Sequence, residues 1–161
     1  AGARLMSVGT QRFFVADVGG GRSSLMVQTT DTESTGGGGP GGAPGGGSTT
    51  VGLGSPREVV SGVRSMQIRL GLDTDGDDAI DTWEAPPAQG GDESVLDETL
   101  GLRISLLVRS PGGDVTEEAQ SYCYPAWRDC SDSGEGLVTA DDRHLYRVYS
   151  SSMTIRNRMT E

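Results

Sequence analysis

Two segments of the chain alternate between apolar residues and other residues. The first has apolar positions at Met66, Ile68, Leu70 and Leu72, and the second at Leu100, Leu102, Ile104, Leu106 and Val108. Successive side chains of a β-strand point to opposite faces, so each segment is predicted to be a strand that buries one face. Leu107 adds an apolar residue on the opposite side of the second segment, which indicates a central strand covered on both faces.

Further strands are predicted near both ends of the chain. Residues 12–18 and 24–29 are rich in aromatic and β-branched residues and are separated by three consecutive glycines, a pattern typical of a β-hairpin. Residues 145–157 predict a terminal strand. No segment has the spacing of a long amphipathic helix, although residues 59–63 are compatible with a helical or irregular turn. The pattern favours a mainly antiparallel sheet with long loops.

The length of the chain favours a single domain over residues 1–161. A chain of 161 residues is hardly long enough for two domains. Many of its 26 glycines fall within residues 31–55, where Gly, Pro, Ser and Thr make up most of the sequence. This composition predicts a flexible or extended Gly-rich loop at 31–55.

Charge and candidate chemistry exclude several classes of function. The formal net charge is −10, from 23 acidic and 13 basic residues, so the surface repels phosphate backbones and nucleic-acid binding by this chain alone is not expected. The single histidine, His144, is interpreted as a loop residue because no nucleophile motif accompanies it. No phosphate-binding Gly motif is present either. The chain is therefore interpreted as non-enzymatic, with no catalytic and no cofactor-binding residues.

The two cysteines, Cys123 and Cys130, are compatible with two interpretations. Free thiols in a reducing compartment are often metal ligands or redox groups, but the C-x-x-C spacing of such sites is absent. The alternative is a structural disulfide that closes a short loop in an oxidising compartment. We expect the disulfide.

One acidic segment matches the register of a calcium-binding loop of the EF-hand type. Residues 73–84 place potential oxygen ligands at loop positions 1, 3, 5, 7, 9 and 12, which are Asp73, Asp75, Asp77, the Ala79 carbonyl, Asp81 and Glu84. Ile80 supplies an apolar residue that can anchor such a loop on the core. The sequence therefore predicts one Ca²⁺ held by these six residues.

The acidic segment departs from the calcium-loop pattern at position 6, where Asp78 replaces the glycine of the sharp turn. Aspartate tolerates positive φ better than most residues, so the turn is possible at some cost. The flanking residues predict a strand and a Pro-rich loop instead of two helices. The alternative is a solvated acidic turn without a cation, in which the carboxylates would repel one another.

Four segments, in order along the chain, resemble the PilW family of type IV pilus proteins. They are Phe13-Phe14-Val15 with Ser24-Leu25-Met26, the stretch over residues 59–77, the strand over residues 102–110, and the ending Arg147 to Arg158 with its Arg156-Asn157-Arg158 motif. Together they cover most of the chain outside the Gly-rich loop. No single segment is diagnostic, but the ordered set is specific enough to identify a candidate family.

The resemblance implies an α+β, mainly antiparallel, pilin-like globular domain. It also implies a minor pilin, related to the J-type pseudopilins of type II secretion, that primes or caps a type IV pilus. Its partners would be other pilins of the filament or of its tip complex. It would lie in the periplasm or outside the cell in the pilus, and in the inner membrane before assembly.

The sequence shows neither the prepilin cleavage site nor the N-terminal apolar helix of a pilin, and no run of about 20 apolar residues is present. We expect this helix to have been removed or to be supplied by a separate polypeptide, so that membrane contact would depend on it alone. The main alternative is a secreted, calcium-stabilised adhesion or ligand-binding module, and a third is a secreted hydrolase. An exposed apolar face would favour the pilin, and a concave polar pocket the other two.

Overall fold

The structure is a computed structural model that describes residues 10–34, 49–88, 90–131 and 136–155. Every strand pairing among these residues is antiparallel. The only helical element in this part of the chain is one 3-10 turn, Glu93–Leu96. The Cα positions divide the chain into two compact units, Ala1–Ser61 and Gly62–Glu161.

The first unit is built on the predicted hairpin. Strands β1 (Gln11–Gly19) and β2 (Arg22–Ser34) pair across a turn at Gly20 and Gly21, where both glycines have positive φ. Strands β3 (Thr49–Leu53) and β4 (Arg57–Ser61) pair with different parts of the long strand β2. Strand structure thus enters both ends of the segment expected to be a Gly-rich loop, and its residues 35–48 lie outside the described part of the chain.

The second unit contains a four-stranded sheet in the order β10-β7-β5-β6. Its strands are β5 (Val63–Leu72), β6 (Thr82–Glu84), β7 (Thr99–Arg109) and β10 (Tyr146–Thr154). Strand β7 lies between β5 and β10, which confirms the predicted central strand. Ile68 is paired with Ile104, so the two alternating apolar series share one face of the sheet.

One face of this sheet is covered by a segment that follows β7. A short hairpin of β8 (Ser121–Cys123) and β9 (Leu137–Thr139) contributes Tyr122, which stacks on Tyr146 with 4.9 Å between ring centroids. The core on this side is formed by Leu107, Ala140 and Tyr146, with Tyr122, Tyr124 and Val148 packed against them. We call this side of the sheet the covered face.

Hydrogen bonds attach the covering segment to the sheet. The Tyr124 hydroxyl donates to Ser65 Oγ at 2.9 Å, and the Ala126 amide donates to Ser105 Oγ at 3.0 Å. Ser105 has no exposed surface. A buried hydroxyl without a partner would cost about 1–3 kcal/mol, so the bond to Ala126 fixes where the segment lies on the sheet.

The opposite side of the sheet, which we call the apolar face, carries the two alternating series. Its members are Met66, Ile68, Leu70, Leu102, Ile104, Leu106, Val108, Tyr149 and Met153. Of these, Leu70 is buried, the other residues of β5 and β7 are half-buried, and Tyr149 and Met153 are 58% and 47% exposed. Leu72 and Leu100, the remaining members of the two series, are buried as well. The expectation that the two series bury one face therefore holds next to the acidic loop and only in part along the rest of the sheet. Burial depends on what covers a face as well as on its pattern, and the covering segment lies on the side of Leu107.

The α+β pilin-like class expected from the resemblance is wrong for this structure, because the described residues are nearly all β and include no helix of seven or more residues. Residues 59–63, which were compatible with a helical turn, instead contain the end of β4, a turn at Gly62 and the start of β5. The β-branched residues Val59 and Val60 favour extended backbone. The sequence contains no amphipathic helical spacing that could have supplied the α component. None of the described helical residues forms a segment long and apolar enough to cross a membrane.

A pair of glycines creates space for the acidic loop on the covered face. Gly71 and Gly101 lie opposite each other in the ladder between β5 and β7. A Cβ at Gly101 would lie 2.8 Å from Ile80 Cδ1 and 3.1 Å from the Met153 carbonyl oxygen. A Cβ at Gly71 would lie 3.0 Å from the Trp83 ring. The expected anchoring of the loop by Ile80 is therefore present, and it depends on the absence of two side chains.

The structure joins Cys123 and Cys130 in a disulfide, as the second interpretation of the cysteines predicts. The bridge closes a loop that contains Tyr124 and Ala126, the two residues that bond to the sheet. The loop also contains a cis peptide bond between Tyr124 and Pro125. The disulfide therefore stabilises the segment that covers the sheet.

We predict that Gly101→Ala destabilises the protein by about 1–3 kcal/mol, because its methyl group would overlap Ile80. Ile80→Val removes the overlapping Cδ1 atom and alone costs about 1 kcal/mol. In the Ile80→Val background, Gly101→Ala should cost less than in the wild type, which urea unfolding of the four proteins measures. Gly112→Ala is the matched control, since a Cβ there has no atom within 4 Å. Equal costs for Gly101→Ala in both backgrounds would contradict this packing.

We predict that replacing both cysteines by serine lowers the free energy of unfolding by about 2.5 kcal/mol, the chain-entropy value for so short a loop. Thermal unfolding of the double variant and of reduced wild type should give the same shift. Alkylation and mass spectrometry of protein purified without reductant checks the bond itself. Two free thiols in that sample would contradict the pairing.

Candidate metal site in the acidic loop

The acidic loop connects β5 to β6 and is attached to the sheet at both ends. The Asp81 amide donates to the Leu72 carbonyl oxygen at 2.9 Å, which closes the loop on itself. The Asp73 amide donates to the Glu98 carbonyl oxygen at 3.0 Å, just before β7. Ile80 packs beside these contacts at the glycine pair. These contacts constrain the backbone of the loop and therefore the positions of its carboxylates.

The Asp73 carboxylate organises the turn. Its Oδ1 accepts from the Gly76 amide at 2.7 Å, and its Oδ2 accepts from the Asp78 amide at 3.0 Å. Asp78 has φ of +62°, the left-handed conformation that the sixth position of a calcium loop requires. The departure from glycine at this position is therefore accommodated, and the turn expected from the register is formed.

Three of the six predicted ligand residues converge. Oxygen atoms of Asp73, Asp75 and Asp81 lie within 4.8 Å of one another, and two of the three residues are exposed. Asp81 Oδ2 also accepts from the amide and the hydroxyl of Thr74, each at 2.8 Å. Carboxylate oxygens are hard ligands of the kind that Ca²⁺ and Mg²⁺ prefer. The donor set at this position fits a divalent cation.

Charge repulsion within the loop acts on Asp75. The nearby carboxylates of Asp77 and then Asp81 raise the pKa of Asp75 above its usual value. The pKa of Asp81 is lowered, because its carboxylate accepts hydrogen bonds from Thr74. A raised pKa means that the negative charge of Asp75 is disfavoured in the folded protein. A cation between these groups would reverse that effect.

The remaining predicted ligands lie outside the group of three. Asp77 Oδ1 accepts from the Ala79 amide at 2.9 Å, which holds this carboxylate against its own turn. Ala79 is exposed. Glu84 is the last residue of β6, opposite Leu70, because the chain leaves the loop as a strand. An EF-hand leaves its loop as a helix, and the different exit explains why position 12 does not join the other carboxylates here.

The structure also brings His144 close to two groups that the sequence did not connect with it. His144 Nδ1 lies 2.9 Å from the Ser110 carbonyl oxygen and 3.4 Å from Ser110 Oγ, and its Nε2 lies 4.0 Å from Asp142. A carbonyl oxygen only accepts, so Nδ1 carries the proton and donates to it. Ser110 Oγ itself donates to the Gly112 carbonyl oxygen. In this arrangement the imidazole is not placed to take the proton of the serine hydroxyl. The contacts of Ser110, Asp142 and His144 instead join the turn after β7 to the turn before β10.

The chain is similar to known proteins at the level of a family. The family model described as Type IV Pilus-assembly protein W, PilW, matches residues 12–157. No curated protein and no solved structure matches the chain. The matched range includes most of each unit of the structure and the whole acidic loop. The chain therefore belongs to the PilW family of type IV pilus-assembly proteins.

Proposed function

We propose that this protein is a minor pilin, a structural subunit that helps to prime or cap a type IV pilus, and that its acidic loop binds one Ca²⁺. Membership of the PilW family suggests a role in pilus assembly and a location associated with the pilus. The finer assignment, including a relationship to the J-type pseudopilins and a stage in the inner membrane before assembly, is our proposal. The apolar face of the second unit is the observation that carries it.

The apolar face has the properties of an assembly surface. It combines apolar residues of β5 and β7, most of them half-buried, with the largely exposed side chains of Tyr149 and Met153 on β10. Contiguous exposed apolar surface of this kind marks sites of protein–protein contact. We propose that it contacts the apolar N-terminal helix of a pilin, supplied by the same polypeptide or by a neighbouring subunit. The partners are then other pilins of the filament or of its tip complex, with no nucleic acid bound by this chain alone.

The calcium proposal is supported by the convergence of Asp73, Asp75 and Asp81 and by the turn at Asp78. Asp77, the Ala79 carbonyl and Glu84 are the further ligands that the loop register provides. Bound calcium would neutralise the repulsion at Asp75 and fix the path from β5 to β6. Its contribution would be to stability, which matters for a subunit that has to keep its shape in an extracellular filament.

We predict that calcium raises the melting temperature of the wild-type protein relative to a sample with chelator. At a hundred times the dissociation constant, calcium would stabilise the fold by about 2.7 kcal/mol, or roughly 10 °C for a unit of this size. Asp75→Asn should abolish most of this shift. In chelator, the same variant should be no less stable than wild type, because it removes a charge that its neighbours disfavour.

Asp141→Asn is the matched control for the calcium experiment, since Asp141 is an exposed aspartate outside the acidic loop. It should leave the calcium-dependent shift unchanged. Coincident melting curves for the wild type with calcium and with chelator would show that the loop is an acidic turn and nothing more.

We predict that a charge on the apolar face reduces pilus assembly without unfolding the protein. Tyr149→Glu and Met153→Glu place a carboxylate at exposed positions, so their melting temperatures should stay close to that of the wild type. Burying that charge against an apolar helix is costly. A strain that carries either variant in place of the wild-type gene should assemble several-fold fewer pili, counted by electron microscopy.

Val115→Glu is the control for the assembly experiment, because Val115 is an apolar residue of similar exposure, 53%, that is not part of the apolar face. Pilus number should be the same as in the wild type with this variant. Wild-type pilus numbers with Tyr149→Glu and Met153→Glu, and also in a deletion strain, would instead favour a secreted adhesion module.

A further inference from the structure

Two arginines and both tryptophans of the chain meet on the covered face of the second unit. Arg69 and Arg103 lie directly opposite each other on β5 and β7. The Arg103 guanidinium lies 4.2 Å from the centroid of the Trp83 ring, and that of Arg69 lies 5.8 Å from the centroid of the Trp127 ring. Arg69 Nη1 also donates to the Trp83 carbonyl oxygen at 2.6 Å. Both guanidinium groups are therefore held in place by aromatic and backbone groups.

No carboxylate of the described residues forms an ion pair with the guanidinium group of Arg69 or of Arg103, although the chain has a net charge of −10. Like charges directly opposite each other on neighbouring strands destabilise a sheet. Aromatic rings offset this repulsion only in part, by about 0.5–1 kcal/mol at exposed sites. The fold therefore holds two positive charges side by side and leaves them without an acidic partner in the described part of the chain, although acidic groups outnumber basic ones in the sequence.

A small cavity opens on each side of Trp127, next to one arginine each. The first has a volume of about 290 Å³, and its walls include Gln67, Arg69 and Trp127. The second has a volume of about 260 Å³ and is lined by Arg103, Ala126, Trp127, Ser150 and Ser152. Both are smaller than a usual cofactor site and suit single side chains of a ligand. We call the two cavities and the ring between them the Trp127 cleft.

We propose that the Trp127 cleft binds an acidic segment of a partner protein, with one carboxylate held by Arg69 in the first cavity and a second held by Arg103 in the other. Arginine presents a planar set of donors that matches a carboxylate, and tryptophan and arginine are the residues most enriched at the energetic centres of protein interfaces. The amide of Gln67 and the hydroxyls of Ser150 and Ser152 are available for the backbone of the segment. That the segment belongs to another pilus subunit rests on the proposed function, whereas the binding chemistry does not.

The charge of the whole protein decides between a short acidic segment and a long polyanion. A polyuronate or a nucleic acid would extend beyond the cleft over a surface whose net charge is −10, and would be repelled there. A segment with a few carboxylates can place them in the cleft and leave uncharged residues elsewhere. The structure therefore favours a peptide ligand over a polymeric anion.

The test measures the binding of an acetylated tetraglutamate amide to the isolated chain. Tetraglutamine is the uncharged reference, and chelator is present throughout so that the acidic loop does not contribute. Since Trp127 lines both cavities and Trp83 stacks on Arg103, the fluorescence of the two tryptophans reports binding. We expect saturable binding of tetraglutamate at low salt, weaker binding as salt increases, and none of tetraglutamine.

Arg69→Gln and Arg103→Gln should each weaken the binding of tetraglutamate by about tenfold or more, the usual effect of losing one charge-assisted hydrogen bond. Arg147→Gln is the matched control, because Arg147 is an exposed residue of β10 opposite Val108 and so lies on the other face. It removes the same charge and should leave the affinity unchanged. Arg103→Lys keeps the charge without the planar donors and should give an intermediate affinity.

A measurement on the wild type makes the test independent of whether the variants fold. The two indole N–H signals in a nitrogen–proton NMR spectrum should include one that shifts with saturating tetraglutamate, at Trp127. Unmoved indole signals, equal affinity in Arg69→Gln and wild type, or binding of oligogalacturonate without binding of tetraglutamate would each overturn the proposal. None of these outcomes would change the pilus counts, so a failure here is distinguishable from a failure of the proposed function.

Discussion

The antiparallel ladder between β5 and β7 is the constraint on which the second unit depends. It sets Ile68 against Ile104, Arg69 against Arg103 and Gly71 against Gly101. Since side chains alternate along a strand, these three pairings divide the residues between two faces with different chemistry. A slip of one residue would exchange the faces of an entire strand, and would separate the glycines that admit Ile80.

The ladder positions the acidic loop, and the loop in turn packs Ile80 and Trp83 against the ladder. The absence of side chains at Gly71 and Gly101 lets Ile80 and Trp83 approach the sheet closely. The loop can then bring Asp73, Asp75 and Asp81 together, at the cost of repulsion that raises the pKa of Asp75. Packing by apolar residues thus sustains a cluster of charges that would otherwise move apart.

The two faces of the second sheet suit two kinds of contact. On the covered face, a disulfide-closed segment buries Ser105 and Leu107 and leaves a cleft between guanidinium groups and Trp127. On the apolar face, aliphatic residues and Tyr149 remain partly exposed. In the proposed role as a pilus subunit, the protein would contact several neighbours at once, and an apolar surface combined with a charged cleft would allow it to distinguish between them.

Sequence alone determined the strands at residues 66–72 and 100–108, the hairpin near the start, and an acidic loop with a sharp turn at Asp78. These features depend on neighbouring residues, through side-chain alternation and local backbone preference. Tertiary structure decided which face is covered, because both faces of β7 carry apolar residues and the segment that follows β7 could have folded back onto either of them. It also decided that Asp81 and not Glu84 joins Asp73 and Asp75, since the chain leaves the loop as a strand. Likewise, the pairing of Arg69 with Arg103 follows from strand register, which the order of residues along one strand does not contain.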